Sequence, residues 1–348
     1  MSAVKFDYVI VGAGSAGCVL ANRLSADASR SVCLIEAGPP DRSPLIHIPV
    51  GVLGMLPTRH MNWAFKTVPQ PGLQGRCGYQ PRGRTLGGSS SINAMVYIRG
   101  HRSDYDDWAA LGNPGWSYDE VLPVFRRSED QVRGADQYHG VGGELSVVDL
   151  PNPVQASLAF VESAIRRGLR ANPDFNGARQ EGAGLYQVTQ RRGRRCSAAT
   201  AFLDPVRSRP NLTILTGVRV ERVLLAGRRA TGVLVNGHAG SGQIDAGREV
   251  ILSAGVFGSP QLLMLSGIGA REELGRHGIG LAHELPGVGA NLVDHVDFAL
   301  VYRSTDAALM GITLRTALRA VPGYFQWRRS GTGLLTTNFA EAGAFLRT

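Results

Sequence analysis

The sequence predicts an α/β fold, and three stretches of the chain support that prediction. The first is a short apolar run over 6–11, FDYVIV, which is followed at once by a glycine-rich turn and a helical pattern. The second is the alternation of apolar and polar residues over 211–236, which predicts antiparallel strands with a turn near Gly227. The third is REVILS over 248–253, which predicts a buried returning strand before a helix over about 260–265.

The turn after the first strand has the spacing of a dinucleotide-binding fingerprint. Residues 12–17 read GAGSAG, a helical pattern covers 18–24, and a second strand over 31–35 ends in Glu36. This order of strand, glycine turn, helix, strand and acid is that of a Rossmann-like βαβ unit. The sequence therefore predicts dinucleotide binding, although the fingerprint alone does not separate FAD from NAD.

Each residue type in this fingerprint has a physical role. Gly12 permits the tight turn, Gly14 lets the backbone approach a pyrophosphate, and Gly17 lets the helix pack closely on the sheet. The helix N-terminus offers unpaired N–H groups to the phosphates. Glu36 is placed to accept hydrogen bonds from ribose hydroxyls, which disfavours NADP. The candidate cofactor-binding residues of this unit are Gly12, Gly14, Ser15, Ala16, Gly17, Glu36 and Ala37.

Length and composition are those of a globular protein with two domains. The chain has 348 residues, of which 43% are hydrophobic, and its mean hydropathy is -0.05. No apolar run reaches the roughly 18 residues of a membrane span, and residues 1–7 lack the pattern of a signal peptide. We therefore expect a cytoplasmic protein.

The chain is basic, with a formal net charge of +9 and a pI of about 9.8. Its arginines are spread along the sequence, and the cluster over 191–195, RRGRR, is accompanied by no nucleic-acid-binding motif. We expect a solvated basic surface and no nucleic-acid partner. Attraction to anionic lipids, as in peripheral membrane association, or to acidic cofactors stays open.

The four cysteines are scattered and form no C-x-x-C pair. Disulfides are not expected in this context, and buried, inert thiols are the natural interpretation. No metal site is expected either. The cysteines are Cys18, Cys33, Cys77 and Cys196.

A second glycine-rich segment over 83–106 reads GRTLGGSSSINAMVYIRGHRSDYD. A Gly/Ser-rich loop is one reading, but the segment runs directly into the apolar stretch 92–97. It resembles the first signature of the glucose–methanol–choline (GMC) oxidoreductases. The second family signature is matched over 254–269, although Val256 and Phe257 stand where a small and an aliphatic residue are expected. Further stretches that match in order lie at 62–67, 104–108, 115–118, 138–140, 195–199 and 285–295.

The resemblance implies FAD as the cofactor. Small residues in the second segment let the chain run beside a planar flavin, and Asn93 can face the polar edge of the ring. Some relatives attach FAD covalently through a histidine just before this asparagine; here Ile92 stands there, so the resemblance implies non-covalent FAD. The implied cofactor contacts are Trp63, Arg84, Gly87, Gly88, Asn93, Ala94, Met95, Val96, Val220, through its backbone, and Ala254.

The resemblance also implies a Rossmann-like FAD-binding domain, over 1–300, and a discontinuous substrate domain with an antiparallel sheet. Both are expected to be interleaved along the chain, with the substrate domain and its lid incomplete. The FAD-binding pieces are about 1–40, 78–105 and 200–300, and the substrate pieces are 41–77, 106–199 and 301–348.

The implied activity is oxidation of a small-molecule alcohol, choline being one candidate, by hydride transfer to flavin N5. Electrons would pass to a quinone or to oxygen. Relatives use a histidine as base in a C-terminal part, and no histidine follows His295, so we expect the catalytic residues to lie outside this chain. The other histidines, among them His139 in a family motif and His238 in a surface turn, are expected to be structural. A hydroxynitrile-lyase-like enzyme and an inactive FAD-binding fragment remain alternatives.

Overall fold

The computed structural model describes residues 4–237, 240–295, 297–304, 306 and 314–347. The strands are β1 (Val4–Val11), β2 (Val32–Glu36), β3 (Phe65–Lys66), β4 (Tyr79–Gln80), β5 (Glu129–Gln131), β6 (Leu145–Val147), β7 (Gly182–Leu185), β8 (Gln190–Arg191), β9 (Arg194–Arg195), β10 (Leu212–Thr216), β11 (Arg219–Ala226), β12 (Arg229–Gly237), β13 (Gly240–Leu252), β14 (Ile268–Gly269), β15 (His283–Glu284) and β16 (Ala342–Phe345). The helices are α1 (Ser15–Leu24), α2 (Pro44–His47), α3 (Val52–Met55), α4 (Arg102–Ala110), α5 (Tyr118–Ser128), α6 (Gln155–Arg166), α7 (Gly255–Leu265), α8 (Arg271–Arg276) and α9 (Leu314–Ser330).

Contacts along the chain divide it into two compact units, each assembled from separate pieces. The sequence grouped 56–77 with the substrate pieces and 93–105 with the cofactor pieces, whereas the contacts group these two segments the other way round. The first unit is Met1–Arg42, Leu56–Ile92 and Ala198–Val301, and the second is Ser43–Met55, Asn93–Ser197 and Tyr302–Thr348.

The first unit contains a six-stranded sheet in the order β10-β2-β1-β13-β12-β11. Strand β1 pairs in parallel with β2 and with β13, so that Val11 lies opposite Ile35 on one side and Leu252 on the other. The carboxyl ends of these three strands therefore lie side by side, and α1 and α7 both begin just beyond them. In α/β sheets this edge is where ligands bind.

The α/β prediction is confirmed, but one of its strands was assigned the wrong orientation. Strands β11 and β12 form the predicted antiparallel hairpin around Gly227. Strand β10, by contrast, pairs in parallel with β2, with Leu212 opposite Val32. Apolar alternation shows which face of a strand is buried and carries no information about the direction of its neighbour.

Apolar side chains from the sheet and α7 form the core of the first unit. The buried members include side chains from β1, β2 and the hairpin strands, which are mostly β-branched and suit a sheet covered on its faces. The core residues are Val9, Val11, Cys33, Ile35, Val220, Val233, Val235, Ile244, Ala246 and Leu262.

The prediction of four buried thiols is wrong for Cys77. Cys18, Cys33 and Cys196 are buried, whereas Cys77 is exposed in the loop between β3 and β4. Burial raises the pKa of Cys18 and of Cys33 to about 12, so these thiols stay protonated and unreactive.

The second unit contains short paired strands and helices. Strands β7 and β16 pair antiparallel, as do β8 and β9, while β5 and β6 are parallel. Helix α5 begins with a capping box in which Ser117 and Glu120 satisfy each other's backbone N–H groups. Among the helices that the structure describes, none is long and apolar enough to cross a membrane.

Candidate functional site

The fingerprint turn requires glycine at its first position. Gly12 has a φ of +97°, and its N–H donates to the carbonyl oxygen of Ile35 over 2.8 Å. A Cβ on Gly12 would lie 2.6 Å from the carbonyl oxygen of Ser253. The turn is therefore pressed against the end of β13, and a larger residue fits neither the conformation nor the space.

Glycine suits positions 14 and 17 for different reasons. A Cβ on Gly17 would lie 1.9 Å from the carbonyl oxygen of Gly12, so this glycine allows α1 to pack on the turn. A Cβ on Gly14 would meet only the carbonyl oxygen of Ser253, at 3.9 Å. The space beside Gly14 is thus left open by the protein, as close approach of a phosphate requires.

The N-terminus of α1 is available to a ligand. The helix begins at Ser15, its N-cap residue is Gly14, and no side chain caps it. Ser15 and Ala16 are both exposed. Uncapped N–H groups and the helix dipole make this end suitable for phosphate groups.

The second glycine-rich segment packs directly on the fingerprint turn. The N–H of Gly87 donates to the carbonyl oxygen of Ala13 over 2.8 Å. Gly88 has a φ of +55°, and a Cβ there would lie 2.7 Å from the Cα of Gly14. The small size of Gly88 therefore allows the contact between the two glycine-rich segments, and the predicted contact of Gly87 and Gly88 with the flavin stays a prediction.

Glu36 ends β2 beside the turn, as the fingerprint predicts. Its side chain is buried, and its carboxylate oxygens accept from the N–H groups of Ala13 (3.0 Å) and Gly38 (2.9 Å). Burial raises the pKa of Glu36 to about 7, against the opposing effect of these hydrogen bonds. Each carboxylate oxygen can accept a further hydrogen bond, so ribose hydroxyls suit this group. Ala37, which follows it, is half-buried.

The remaining predicted contacts of the first unit lie at the same edge of the sheet or in the adjoining core. The N–H of Val218 donates to the backbone carbonyl of Glu36 over 3.0 Å, so β11 begins beside the acid. Val220 itself is 8% exposed and belongs to the core, which restricts any ligand contact to its backbone. Ala254 caps α7, and its N–H donates to Ser259 Oγ over 3.1 Å.

Trp63 and Arg84, both predicted to lie near the cofactor, contact each other. The guanidinium carbon of Arg84 lies 4.8 Å from the centre of the Trp63 ring, which stacks on Phe65 at 5.6 Å. Phe257, the departure from the family signature, packs edge-on against Phe65 at 5.5 Å. The larger side chain therefore extends this aromatic cluster, and Arg82 covers it at 5.0 Å.

Asn62 organises the segment around Trp63 and was not among the predicted site residues. Its Nδ2 donates to the carbonyl oxygens of Leu56 and Thr58 and to the Tyr79 hydroxyl, at 2.9–3.1 Å. Its Oδ1 accepts from two backbone N–H groups, those of residues 64 and 82, at 2.9 and 3.0 Å. The sequence signal that could have identified Asn62 is its place as a polar residue at the start of the family-like stretch 62–67.

In the second unit, Asn93–Val96 form a tight turn. Met95 has a φ of +59° and is buried, and its N–H donates to Asn93 Oδ1 over 3.0 Å. Arg195 Nη1 donates to both the carbonyl oxygen and the Oδ1 of Asn93, each over 2.8 Å.

The prediction of a solvated basic cluster over 191–195 is wrong for Arg195. Arg194 is exposed, but Arg195 is only 2% exposed, and burial lowers the pKa of its guanidinium to about 9. The alternation of the two side chains across β9 explains the difference, because successive residues of a strand face opposite sides. The burial of Arg195 could have been inferred from a hairpin turn at Arg192-Gly193, which places 194 and 195 on opposite faces of a strand.

His139, from the predicted Tyr138-His139-Gly140 motif, lies in a buried polar network. Its ring nitrogens lie 3.1 Å from Glu129 Oε1 and 3.0 Å from Asp174 Oδ2. Burial alone would lower the pKa of His139, but hydrogen bonds and charges from Asp174 and Glu129 outweigh it and raise the pKa to about 9. His139 is therefore a cation at neutral pH, unsuited to act as a base.

Replacing His139 with glutamine should remove a pH-dependent part of the stability. Because the folded pKa, about 9, exceeds the ordinary value of 6.5, the stabilisation is complete below about pH 6.5 and is lost as pH rises through 9. Denaturant unfolding should show that, between pH 6.5 and 9.5, the free energy of unfolding of the wild-type chain falls by on the order of 2 kcal/mol more than that of His139→Gln. Equal losses in both proteins would contradict the charged network.

The other histidines have local roles or give no sign of a catalytic one. His101 caps α4, His277 lies 3.3 Å from Glu273 within α8, and His283 is on β15. His238 lies outside the described residues. In the described part of the chain, no group of three or more His, Cys, Asp or Glu side chains is placed to hold a metal ion.

Comparison with known proteins agrees with this geometry. The family model described as GMC oxidoreductase matches residues 6–297. The chain is 49% identical to alcohol dehydrogenase [acceptor] of Pseudomonas putida, covering 98% of this chain and 62% of the relative. It is 42% identical to oxygen-dependent choline dehydrogenase of Photobacterium profundum, covering 98% of this chain and 60% of the relative.

A solved structure of Aspergillus oryzae formate oxidase, in a study of FAD modification, superposes with a TM-score of 0.86 at 30% identity. That match covers all of this chain and 62% of the oxidase. The chain thus spans about three fifths of the length of the relatives that it matches. The matched family model and these identities over nearly the whole chain show that it belongs to the GMC oxidoreductase family.

Proposed function

We propose that this chain binds FAD non-covalently and is the FAD-binding part of an enzyme that oxidises an alcohol to an aldehyde. The observation that carries the proposal is the arrangement around Gly14. Beside it lie a space where an added Cβ would meet no described atom closer than 3.9 Å, an uncapped helix N-terminus and the buried carboxylate of Glu36. Phosphates and a ribose are the groups that such an arrangement suits.

Each residue would contribute through binding and orientation. The N-terminus of α1 would hold the pyrophosphate, Glu36 would accept from ribose hydroxyls, and Asn93–Val96 would line the isoalloxazine. When bound, FAD supplies the two-electron acceptor that takes hydride from the alcohol carbon. Ile92 is apolar and 2% exposed, so it offers no atom for a covalent link to the cofactor, which supports non-covalent binding.

The substrate is proposed from the relatives, which are named alcohol and choline dehydrogenases. A small alcohol is the substrate class, and a quinone or oxygen would accept the electrons. We assign the base to no described histidine, since none has a geometry that supports the role and His139 is held as a cation. A cytoplasmic location, with at most peripheral membrane association, is part of this proposal.

The test is an absorbance spectrum of the purified chain with FAD, before and after anaerobic addition of primary alcohols, choline included. The chain should show a protein-bound flavin spectrum. A longer protein that includes this chain should bleach on addition of an alcohol, whereas the chain alone should not. Bound flavin that no alcohol reduces in the longer protein would favour a hydroxynitrile-lyase-like activity. Failure to bind FAD would refute the proposal.

A further inference from the structure

The carbonyl groups of Asn93, Ala94 and Met95, in the turn over 93–96, are engaged within the second unit. Arg195 donates to the carbonyl oxygen of Asn93 over 2.8 Å. Asn338 Nδ2 donates to the carbonyl oxygen of Ala94 over 2.7 Å, and the N–H of Thr189 donates to that of Met95 over 2.8 Å. Three successive acceptors are therefore turned toward the protein.

The N–H groups of the same turn divide into two sets. Those of Met95 and Tyr97 donate to Asn93 Oδ1 and to the carbonyl oxygen of Gln187, at 3.0 and 2.9 Å. Those of Asn93, Ala94 and Val96 have no acceptor among the residues that the structure describes. Asn93 is exposed and Ala94 and Val96 are half-buried, so these residues are not enclosed in the core.

The two side chains that hold the carbonyls are themselves buried and fixed. Arg195 is 2% exposed and also donates through Nε to the carbonyl oxygen of Ile46 over 2.9 Å. Asn338 is 1% exposed, and its Nδ2 donates to the carbonyl oxygen of Ala340 as well, over 3.1 Å. Because both partners of this amide are carbonyls, its orientation is fixed by the hydrogen bonds.

Asn338 occupies this position at a cost to stability. Its Oδ1 is buried and has no hydrogen-bond partner in the described part of the chain. A buried acceptor left in this state is unfavourable. The hydrogen bond from its Nδ2 to Ala94 is therefore made in spite of that penalty, which points to a positioning role for the amide.

We propose that Arg195 and Asn338 are positioning residues that hold the carbonyls of Asn93 and Ala94 toward the protein, so that the N–H groups of Asn93, Ala94 and Val96 face the bound flavin. The donors would stabilise the negative charge that the ring acquires when it accepts two electrons, as an oxyanion hole stabilises an oxyanion. This inference rests on the proposed function, in which Asn93–Val96 line the isoalloxazine.

The test uses Arg195→Lys and Asn338→Ala, with Arg191→Gln as the control. The lysine keeps the charge but replaces the separate Nε and Nη1 donors with one ammonium, which does not reproduce the fork geometry of the guanidinium. Arg191 is exposed and, among the described residues, its side chain donates to the carbonyl oxygen of Glu144. The first readout needs no cofactor. Residue-resolved hydrogen exchange of the chain without FAD should show faster exchange at the amides of Met95 and Tyr97 in both variants.

The second readout is the affinity of the FAD-loaded chain for sulfite, whose lone pair forms a bond to flavin N5 and leaves negative charge on the ring. The sulfite dissociation constant should rise about tenfold in each variant, since one donor's alignment is worth about that factor. The reduction potential should fall in parallel. The control should match the wild type in both.

Failure of the wild-type chain to bind FAD would refute the proposed function, and the exchange measurement would still decide whether Arg195 and Asn338 position the turn. Unchanged exchange at Met95 and Tyr97 in a folded variant would overturn that positioning role. Altered exchange with an unchanged sulfite affinity and potential would show a purely structural role and would overturn the inference. If Arg195→Lys does not fold, the same measurements on Asn338→Ala alone decide whether the inference holds.

Discussion

Replacing Gly14 with alanine should abolish tight FAD binding while leaving the fold intact. The added Cβ meets no protein atom closer than 3.9 Å, and the backbone at this residue has a φ of −77°, which alanine adopts readily. The unfolding free energy should therefore change by less than about 1 kcal/mol. The methyl group would occupy the space where a pyrophosphate approaches, and loss of about two charge-assisted hydrogen bonds should raise the FAD dissociation constant about 100-fold or more.

Fluorescence titration with FAD and denaturant unfolding check the two halves of this prediction. Gly72→Ala is the matched control, because a Cβ there also meets nothing within 4 Å and the residue lies outside the fingerprint. It should change neither property. Equal FAD affinity in Gly14→Ala and the control would show that the phosphates bind elsewhere.

FAD should bind more tightly as pH rises from 6 to 8. Without ligand, burial raises the pKa of Glu36 from an ordinary 4.5 to about 7, whereas ribose hydroxyls donate to the ionised carboxylate. Binding that requires the ionised form should strengthen about tenfold across this interval. The free energy of unfolding of the chain without FAD should fall over the same rise in pH. The contribution of Glu36 is complete below about pH 4.5 and lost as pH rises through 7, a change on the order of 2 kcal/mol.

Glu36→Gln separates this carboxyl from other groups that titrate in the same range. The glutamine cannot ionise, and it presents an NH₂ group to one of the N–H donors of residues 13 and 38, so FAD should bind weakly and with no such rise. Calorimetric titration at several pH values measures the difference between the two proteins. A rise of equal size in the variant would assign the pH dependence to another group.

Much of the fold could be predicted because its signals are local. The strand, turn, helix and acid that end at Glu36 lie within one short stretch, and each residue type follows from the geometry of that stretch. The hairpin around Gly227 is local too. The parallel pairing of β10 with β2 joins segments distant in the chain, so alternation in β10 gave no sign of it.

The parts that could not be predicted depend on tertiary contacts. Arg195 belongs to a run of arginines, and only its place on β9 and its contact with Asn93 distinguish it from exposed Arg194. Asn338 reaches Ala94 across a long separation in sequence. Cys77 is exposed in the loop between β3 and β4, which the sequence around it does not show.

The most direct test of the central claim is a comparison of FAD and FMN binding to this chain by fluorescence titration. Gly14, the N-terminus of α1 and Glu36 suit the pyrophosphate and ribose of the ADP half, which FMN lacks. We therefore expect FAD to bind, ADP to compete with it and FMN to bind far more weakly. Equal affinity for FAD and FMN, or failure of ADP to compete, would contradict it.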